Sequence, residues 1–545
     1  MIQKQNSENE NEVDDKDDPG KEVEYDQLLS SAGEFGFYQI LLFFKTSPFY
    51  LFGGFVYFTQ LFLTEVPKNF WCRIPELENM TAIERRNLAI PVDKNAIVGY
   101  SQFLITGIKP DQSWTTQSCE NGWEFNTTEI PYPTISSELG WVCDKDSYQA
   151  TAQSFFFVGS IIGGFLIGWV GDRFGRIPAL VCANVIGVIA GIATIFTSNF
   201  VEFTICRILM GMSYDNCMIM AYLLVLEYTA PRYRTLVANL SIAIFFTIGV
   251  TALPWIALAS GHWKVISLVT SVPLALALLA PFLMPESPRW LITKGRVEEV
   301  ITNVKAIATT NKKDLSKKLI DQFKASCEKQ KQVVSVSLLE LLKRPVLWNL
   351  FICICIEYLC VMIIFDALVR TIGSLKFDFF ISFTVISFTE FPSLVLLSFI
   401  LDSTGRKWLC IIALLICAVL SITTSFVGGG LPSVLCAVFA RFTCNMAFNS
   451  ILQWSAELIP TPVRGSGTSI IHICGYIATC ISPFIAYIDN YVSGLSMVII
   501  GAISVFSAAM CCYLPETARK EMPQTFEEVE TLMRNRKLNQ MNLMS

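Results

Sequence analysis

The sequence predicts an all-α membrane protein with twelve transmembrane helices in two parallel six-helix halves. Three observations predict it. The 545 residues are 52% hydrophobic and 16% charged, with a mean hydropathy of +0.49, whereas soluble domains run near a quarter charged. Long stretches carry no charged residue: Thr235–Gly261, Val265–Pro285, Trp408–Ala440 and Tyr491–Pro515. Each matches the roughly 20 apolar residues that a helix needs to cross a bilayer. Finally, charged clusters recur 230 residues later in the chain. Asp172, Gly175 and Arg176 return as Asp402, Gly405 and Arg406, Glu227 and Arg234 as Glu457 and Arg464, and Pro285, Glu286 and Arg289 as Pro515, Glu516 and Arg519. Three clusters at one offset argue for duplication of a six-helix unit. Six is an even number, so the two copies share one orientation.

Each element follows in order. Residues 1–36 are polar and acidic (Glu8, Glu10, Asp14, Asp15, Asp17, Asp18) and lack the basic-then-apolar pattern of a signal peptide. They are expected to form a solvated cytoplasmic tail. Spans are expected near 37–63, 147–170, 178–198, 201–226, 235–259, 263–284, 345–368, 378–401, 408–428, 431–456, 465–488 and 493–514. Residues 37–284 make the first half, including a large loop at 64–146. A helical linker covers 285–344, the second half covers 345–514, and a tail covers 515–545.

Orientation follows from basic residues in short loops. Arg173 and Arg176 follow span 2, Arg232 and Arg234 follow span 4, Arg406 and Lys407 follow span 8, and Arg464 follows span 10. The loops at 198–200 and 428–430 hold no Lys or Arg. The positive-inside rule then puts both termini in the cytoplasm and 64–146 outside. Arg370 and Lys376, in the expected loop between spans 7 and 8, run against this pattern. Sequons at Asn79 and Asn126 fall in the outer loop and mark glycosylation there.

Most of the 18 cysteines lie inside apolar runs, where Cys acts as a small hydrophobe. Only Cys72, Cys119, Cys143 and Cys327 lie in long polar stretches, and no paired CxxC pattern supports a metal site. The composition excludes an ordinary cytosolic enzyme, a disordered chain and a nucleic-acid binder. No phosphate-binding G-x-x-x-x-G-K-[ST] loop is present, so ATP-driven pumping lacks its cradle, and no cofactor is expected.

Gly168-Trp169-Val170-Gly171-Asp172-Arg173-Phe174-Gly175-Arg176 resembles the G-x-x-x-D-R-x-G-R signature of the major facilitator superfamily. The second-half copy is degraded, with Ser398 for the first Gly and Ser403-Thr404 in place of the basic position. More narrowly, the chain resembles solute carrier family 22, the organic cation, anion and zwitterion transporters. The resemblance spans about 35–520. It rests on Trp71-Cys72-Arg73-Ile74-Pro75, Gly122-Trp123-Glu124-Phe125, Trp141-Val142-Cys143-Asp144, Pro285-Glu286-Ser287-Pro288-Arg289-Trp290-Leu291 and Ala456-Glu457-Leu458-Ile459-Pro460-Thr461. It implies the major facilitator fold and a multi-pass carrier in the plasma membrane. The large outer loop with cysteines is a trait of the family, which makes Cys72, Cys119 and Cys143 disulfide candidates. Relatives commonly have more than these three, so one thiol is left over. A cytoplasmic latch is expected from Gly168, Asp172, Arg173, Gly175, Arg176, Glu227, Arg234, Asp402, Arg406, Glu457 and Arg464. In it Asp172 would approach a helix N-terminus of the other half.

The resemblance places a central cavity on spans 4, 7, 8, 10 and 11. Ionisable residues inside spans merit a functional reading. The acids are Asp215, Glu357, Asp366 and Glu390, and the bases are Lys45, Arg207 and Arg441. Helical spacing puts Arg207, Gly211, Asp215 and Tyr222 on one face, and Tyr358 with Asp366 on another. Cation-preferring relatives carry an Asp, and anion-preferring relatives an Arg, where this chain has Tyr476. Asp215 stands where many relatives have Lys, and Asp366 at a Tyr/Gln-Gly position. The surplus of acid favours a cationic or zwitterionic substrate, held by carboxylates and by cation–π contact. The expected substrate contacts are Asp215, Tyr222, Tyr358, Asp366, Glu390, Trp454 and Tyr476, with Phe365 as a further ring. Bland readings stand beside them. Arg207 could neutralise Asp215, Glu390 could be a structural pair, Glu357 a buried structural acid, and His472 a satisfied interior residue rather than a proton relay. The partners are a small organic solute and the lipid bilayer. A coupling ion is compatible with this reading, but no residue names one. The competing functions are organic anion transport on the same fold and a non-transporting receptor or scaffold.

Overall fold

A computed structural model describes residues 24–67, 69–81, 84–85, 119, 121–329, 343–375, 377–460, 463–518, 523 and 525–534, without the side chains of 76, 235, 236, 238, 239, 374, 402 and 465. Among these, eleven helices are long and apolar enough to cross a membrane. Spans 1–6 are Phe37–Thr64, Cys143–Phe174, Arg176–Thr194, Phe200–Glu227, Ile242–Ser260 and Trp263–Leu283. Spans 7–11 are Pro345–Gly373, Phe379–Leu401, Arg406–Phe426, Leu431–Leu458 and Ser466–Asn490. The shorter apolar helix Leu495–Cys511 is span 12. Together they make the twelve-helix fold that the periodic apolar runs predict. The end carrying 64–146 is the loop end, and the end carrying 285–344 is the linker end.

Small residues set the packing within the first half. Spans 2 and 4 approach so closely that a Cβ at Gly211 would lie 1.8 Å from the Phe156 carbonyl oxygen, and one at Gly159 would lie 2.1 Å from that of Ile208. Without water in the hydrocarbon, such backbone approach supplies the van der Waals contact that holds helices together.

The outer loop closes over span 1. Strands Phe70–Cys72 (β1) and Trp123–Phe125 (β2) pair antiparallel, with Trp71 opposite Glu124. Cys72 is bridged to Cys119, and Cys143 stands outside that disulfide. Thr134 and Ser136 hydroxyls donate to the Glu65 and Thr64 carbonyls, satisfying the end of span 1.

The acidic tail departs from expectation. Glu8 to Asp18 lie outside the described residues, but in 24–36 helix Tyr25–Ser31 packs against the linker helices, with Leu28, Leu29 and Ala32 fully buried and Glu24, Gln27, Glu34 and Phe35 exposed. The spacing of Tyr25, Leu28, Leu29 and Ala32 is an apolar helical stripe that the net acidity of the segment masks. Asp26 pairs with Arg234 at 3.0 Å and with Arg289 at 3.3 Å. Asn311 of linker helix Val297–Thr310 accepts from the Tyr38 amide at 3.0 Å. Burial also pushes the Tyr25 hydroxyl well above the usual tyrosine range.

Gly211→Val is expected to force spans 2 and 4 apart. Detergent-solubilised protein should melt several degrees lower and lose monodispersity by size-exclusion chromatography, while Val at the open Gly164 position should leave both unchanged.

Candidate functional site: a polar and aromatic layer between the halves

The repeated clusters build one device twice at the linker end. Glu286 accepts from the Arg176 and Ile177 amides, at 2.7 and 3.1 Å, at the N-terminus of span 3. Glu516 accepts from the Arg406 and Lys407 amides, at 3.0 Å each, at the N-terminus of span 9. An anionic side chain there is favoured by the exposed amides and by the helix dipole. Gly175 and Gly405 are required for two reasons. Their φ values are +118° and +85°, and a Cβ would lie 2.3 and 2.7 Å from the Glu286 and Glu516 carboxylates. The Ser287 hydroxyl donates to Glu227, and Thr517 donates to Glu457 at 2.5 Å. Arg406 also pairs with Glu457 at 3.2 Å.

These bonds lie within each half. Asp172 does not reach the other half; it pairs with Arg176 of its own loop at 2.8 Å and is largely exposed. The helix N-terminus nearest it is already occupied by Glu286. Arg173 is exposed. Gly168 meets nothing within 4 Å, so helix packing does not explain it. Arg234 and Arg464 each donate Nε to a carbonyl of their own half, Leu226 at 2.8 Å and Ile459 at 3.2 Å. The Asp402 side chain lies outside the described residues.

The bonds that cross between halves lie in the middle and at the loop end. Tyr476 of span 11 donates to Asp215 of span 4. Tyr57 of span 1 donates to Asp366 of span 7, which also accepts from Ser482 of its own half, and Ser154 of span 2 donates to the Cys480 carbonyl of span 11 at 2.7 Å. Arg370 grips Asp366 through Nε at 2.6 Å and Nη2 at 3.1 Å and donates to Gln153 of span 2 at 2.6 Å. Phe58 and Phe62 of span 1 pack on Phe379 and Phe383 of span 8. Tyr487 donates to Asp146 at 2.7 Å. The halves are therefore closed together at the loop end.

Several expected substrate contacts are otherwise engaged. Asp366 is 1% exposed and paired with Arg370. Span 7 runs to Gly373, so Arg370 is not in a loop but one turn beyond Asp366 on the same helix face. That i, i+4 spacing is a signal in the sequence that assigning Arg370 to a loop hides. Glu390 pairs with Arg441 at 2.7 Å, whose guanidinium lies 3.6 Å from the Phe365 ring centroid. Trp454 donates its indole N–H to the Pro515 carbonyl at 3.1 Å, so it anchors span 10 to the linker-end turn. A buried indole N–H needs such a partner. Glu357 faces span 12, accepting from Ser507 at 2.6 Å and Cys511 at 3.2 Å. Lys45 reaches the Leu283 carbonyl at 3.0 Å.

Asp215 differs. The single face of span 4 does not exist, because the helix breaks between Ser213 and Asn216 and Asp215 takes φ +61°. The break turns Asp215 away from Arg207, which instead donates to Thr194 and lies over the Phe203 ring. Among the described residues Asp215 forms no ion pair, and Tyr476 is the side chain that donates to it. On spans 7 and 11, Tyr358 packs against His472, its hydroxyl 3.4 Å from Nδ1 and the ring centroids 5.6 Å apart. Tyr222 sits beyond the break, beside Tyr50 of span 1. The contributions of Tyr57, Gln153 and Tyr214 have no signature in the sequence. They are ordinary apolar-run residues until the spans are assembled.

This arrangement is that of a membrane carrier built from two six-helix halves. The proton:xylose symporter XylE of the major facilitator superfamily shares the fold, with a TM-score of 0.56 at 18% identity, over 93% of this chain and 99% of that one. A family model described as sugar (and other) transporter matches residues 96–532, and the chain belongs to that family, on its solute carrier family 22-like side. The carcinine transporter of Drosophila melanogaster is 28% identical, over 94% of this chain and 79% of that protein. The human organic cation/carnitine transporter 2 is 26% identical, over 93% and 94% respectively. The family and the fold are those of transporters, not enzymes.

Removing one partner of a buried ion pair strands the other, at a cost of about 3–5 kcal/mol. Asp366→Asn should therefore destabilise the purified protein markedly in a thermal melt. Adding Arg370→Gln to it should restore part of the loss.

Proposed function

We propose that this protein carries small organic cations across the plasma membrane by alternating access, with Asp215 as the carboxylate that receives the substrate amine. One observation carries the reading. Asp366 and Glu390 are each matched by an arginine, and Asp215 meets a tyrosine hydroxyl but no cation. An unneutralised carboxylate midway along a span is costly and gains most from a cation in a low-dielectric seam. Tyr476, where the family resemblance implies an Asp or an Arg, donates to Asp215. The acid missing from span 11 is thus supplied from span 4, on the opposite side of the seam. Tyr358 and Tyr476 add ring faces for the cation. Among the described residues Arg370 and Arg441 are paired with acids, and Arg207 is turned to Thr194 and Phe203, so none stands beside Asp215 to receive a carboxylate, and amines are favoured over monoanions. The names of the relatives, a carcinine transporter and an organic cation/carnitine transporter, support organic cations and zwitterions as the wider substrate class. The halves rock about this layer, with the loop end closed in the state described and the paired linker-end devices keeping each half rigid. The basic short loops support cytoplasmic termini and a glycosylated outer loop.

Uptake of labelled amines by cells expressing the chain tests the reading. A charge-assisted hydrogen bond contributes about 1.5–3 kcal/mol, so Asp215→Asn should lower kcat/KM for a monovalent amine by roughly ten-fold or more at equal surface abundance. Anion uptake without amine uptake would replace the reading by organic anion transport, and no uptake of either by a receptor or scaffold role.

Orientation has its own check. Asn79→Gln with Asn126→Gln should abolish a glycosidase-sensitive mobility shift of the expressed chain. An engineered sequon after residue 520 that became glycosylated would overturn the topology.

A further inference from the structure

Two of the bonds that join the halves meet on one short piece of span 4. Asp215 receives Tyr476 across the seam, and Asp366 receives Tyr57. Tyr214, the residue before Asp215, lies flat on the Tyr57 ring, with centroids 4.7 Å apart and 13° between the planes. Offset stacking at this separation is the favoured aromatic geometry. The stretch is a helix break, with Asp215 at φ +61°, so a displacement of the Asp215 carboxylate is not absorbed by a continuous helical ladder. Tyr214 also abuts Phe156 and Phe157 of span 2. The ring of Phe157 lies beneath the Arg370 guanidinium, 5.3 Å from its centroid.

We infer that Tyr214 and Tyr57 are positioning residues that relay the occupancy of Asp215 to the Asp366–Arg370 gate at the loop end. This rests on Asp215 as the amine-binding carboxylate. An ammonium competes with the Tyr476 hydroxyl for that carboxylate and makes the stronger, charge-assisted bond. The carboxylate turns toward it, and the adjoining peptide and the Tyr214 ring move with it. The stacked Tyr57 ring follows, and its hydroxyl is, among the described residues, one of two first-half side chains hydrogen-bonded to the gate, the other being Gln153 on Arg370. Loss of that hydroxyl bond leaves the Asp366–Arg370 pair intact within span 7 but loosens its hold on the first half. Substrate binding in the middle thereby changes how firmly the loop end is closed. A physical coupling needs such an element with two arrangements that both sites bias.

Hydrogen–deuterium exchange on the full chain in lipid nanodiscs tests this at the segment 366–371. Protonated phenylethylamine is the probe, and its binding is followed separately by thermal shift. In the unmodified protein and in Tyr214→Phe, which keeps the ring, the amine should raise exchange of that segment several-fold. In Tyr57→Phe and Tyr214→Leu the amine should still bind, and the exchange change should be lost. A response of unmodified size in Tyr57→Phe, whose isosteric ring preserves folding, overturns the relay. A second arm needs no ligand. Asp215→Asn, which weakens the Tyr476 bond, should alter exchange at 366–371 in the otherwise unmodified chain but not in the Tyr57→Phe background. If the probe fails to bind, the assignment of Asp215 is what has failed, and the ligand-free arm still decides the relay.

Discussion

A charge inside a bilayer must find a partner, because no water is there to solvate it. That constraint organises the interior of this protein. Asp366 is clasped by Arg370, Glu390 by Arg441, and Glu357 by a hydroxyl and a thiol of span 12. The two arginines neutralise their acids, and Glu357 is turned to span 12 and away from the seam. What remains is Asp215, set at a break in span 4 and contacted by a tyrosine from the other half. Under the proposed reading that residual charge is the reason a cation enters and pauses there.

The same constraint divides the bonding between the two ends. At the linker end, each half caps its own helix with its own carboxylate, Glu286 on span 3 and Glu516 on span 9. These bonds are charge-assisted and lie within a half, so they stiffen it. The contacts across the seam run through tyrosine and serine hydroxyls, the Gln153 amide and edge-to-face rings. The tyrosine bonds to Asp366 and Asp215 and the Arg370 bond to Gln153 each have an ionised partner and belong to a class that contributes about 1.5–3 kcal/mol, whereas the serine bond belongs to the neutral class of about 0.5–1.5 kcal/mol. Under the proposed reading, rocking breaks and remakes these bonds while each half stays rigid.

Much of the fold is written in the order of residues. Charge-free runs of bilayer length need no partner to become helices, since the backbone satisfies itself locally, and all twelve spans were legible for that reason. The duplication was legible because the capping acids, turn glycines and basic residues must recur at the same distance in each half. Local misreadings came from boundaries. Ending span 7 too early put Arg370 in a loop and left Asp366 with a charge it does not carry alone. Treating span 4 as one continuous helix joined Asp215 to Arg207. Net acidity concealed the apolar stripe through which Tyr25–Ser31 docks.

Architecture, orientation cues and the list of intramembrane charges followed from sequence alone, because hydrophobic length, loop charge and repeat spacing are properties of neighbours along the chain. Which of those charges stays unneutralised was decided only by the assembled structure. The partners of Asp366 include residues on spans 1 and 11, that of Glu390 lies on span 10, and that of Asp215 on span 11. Contacts between helices hundreds of residues apart leave no mark in local spacing, and a helix break of two residues turns a side chain from one set of neighbours to another.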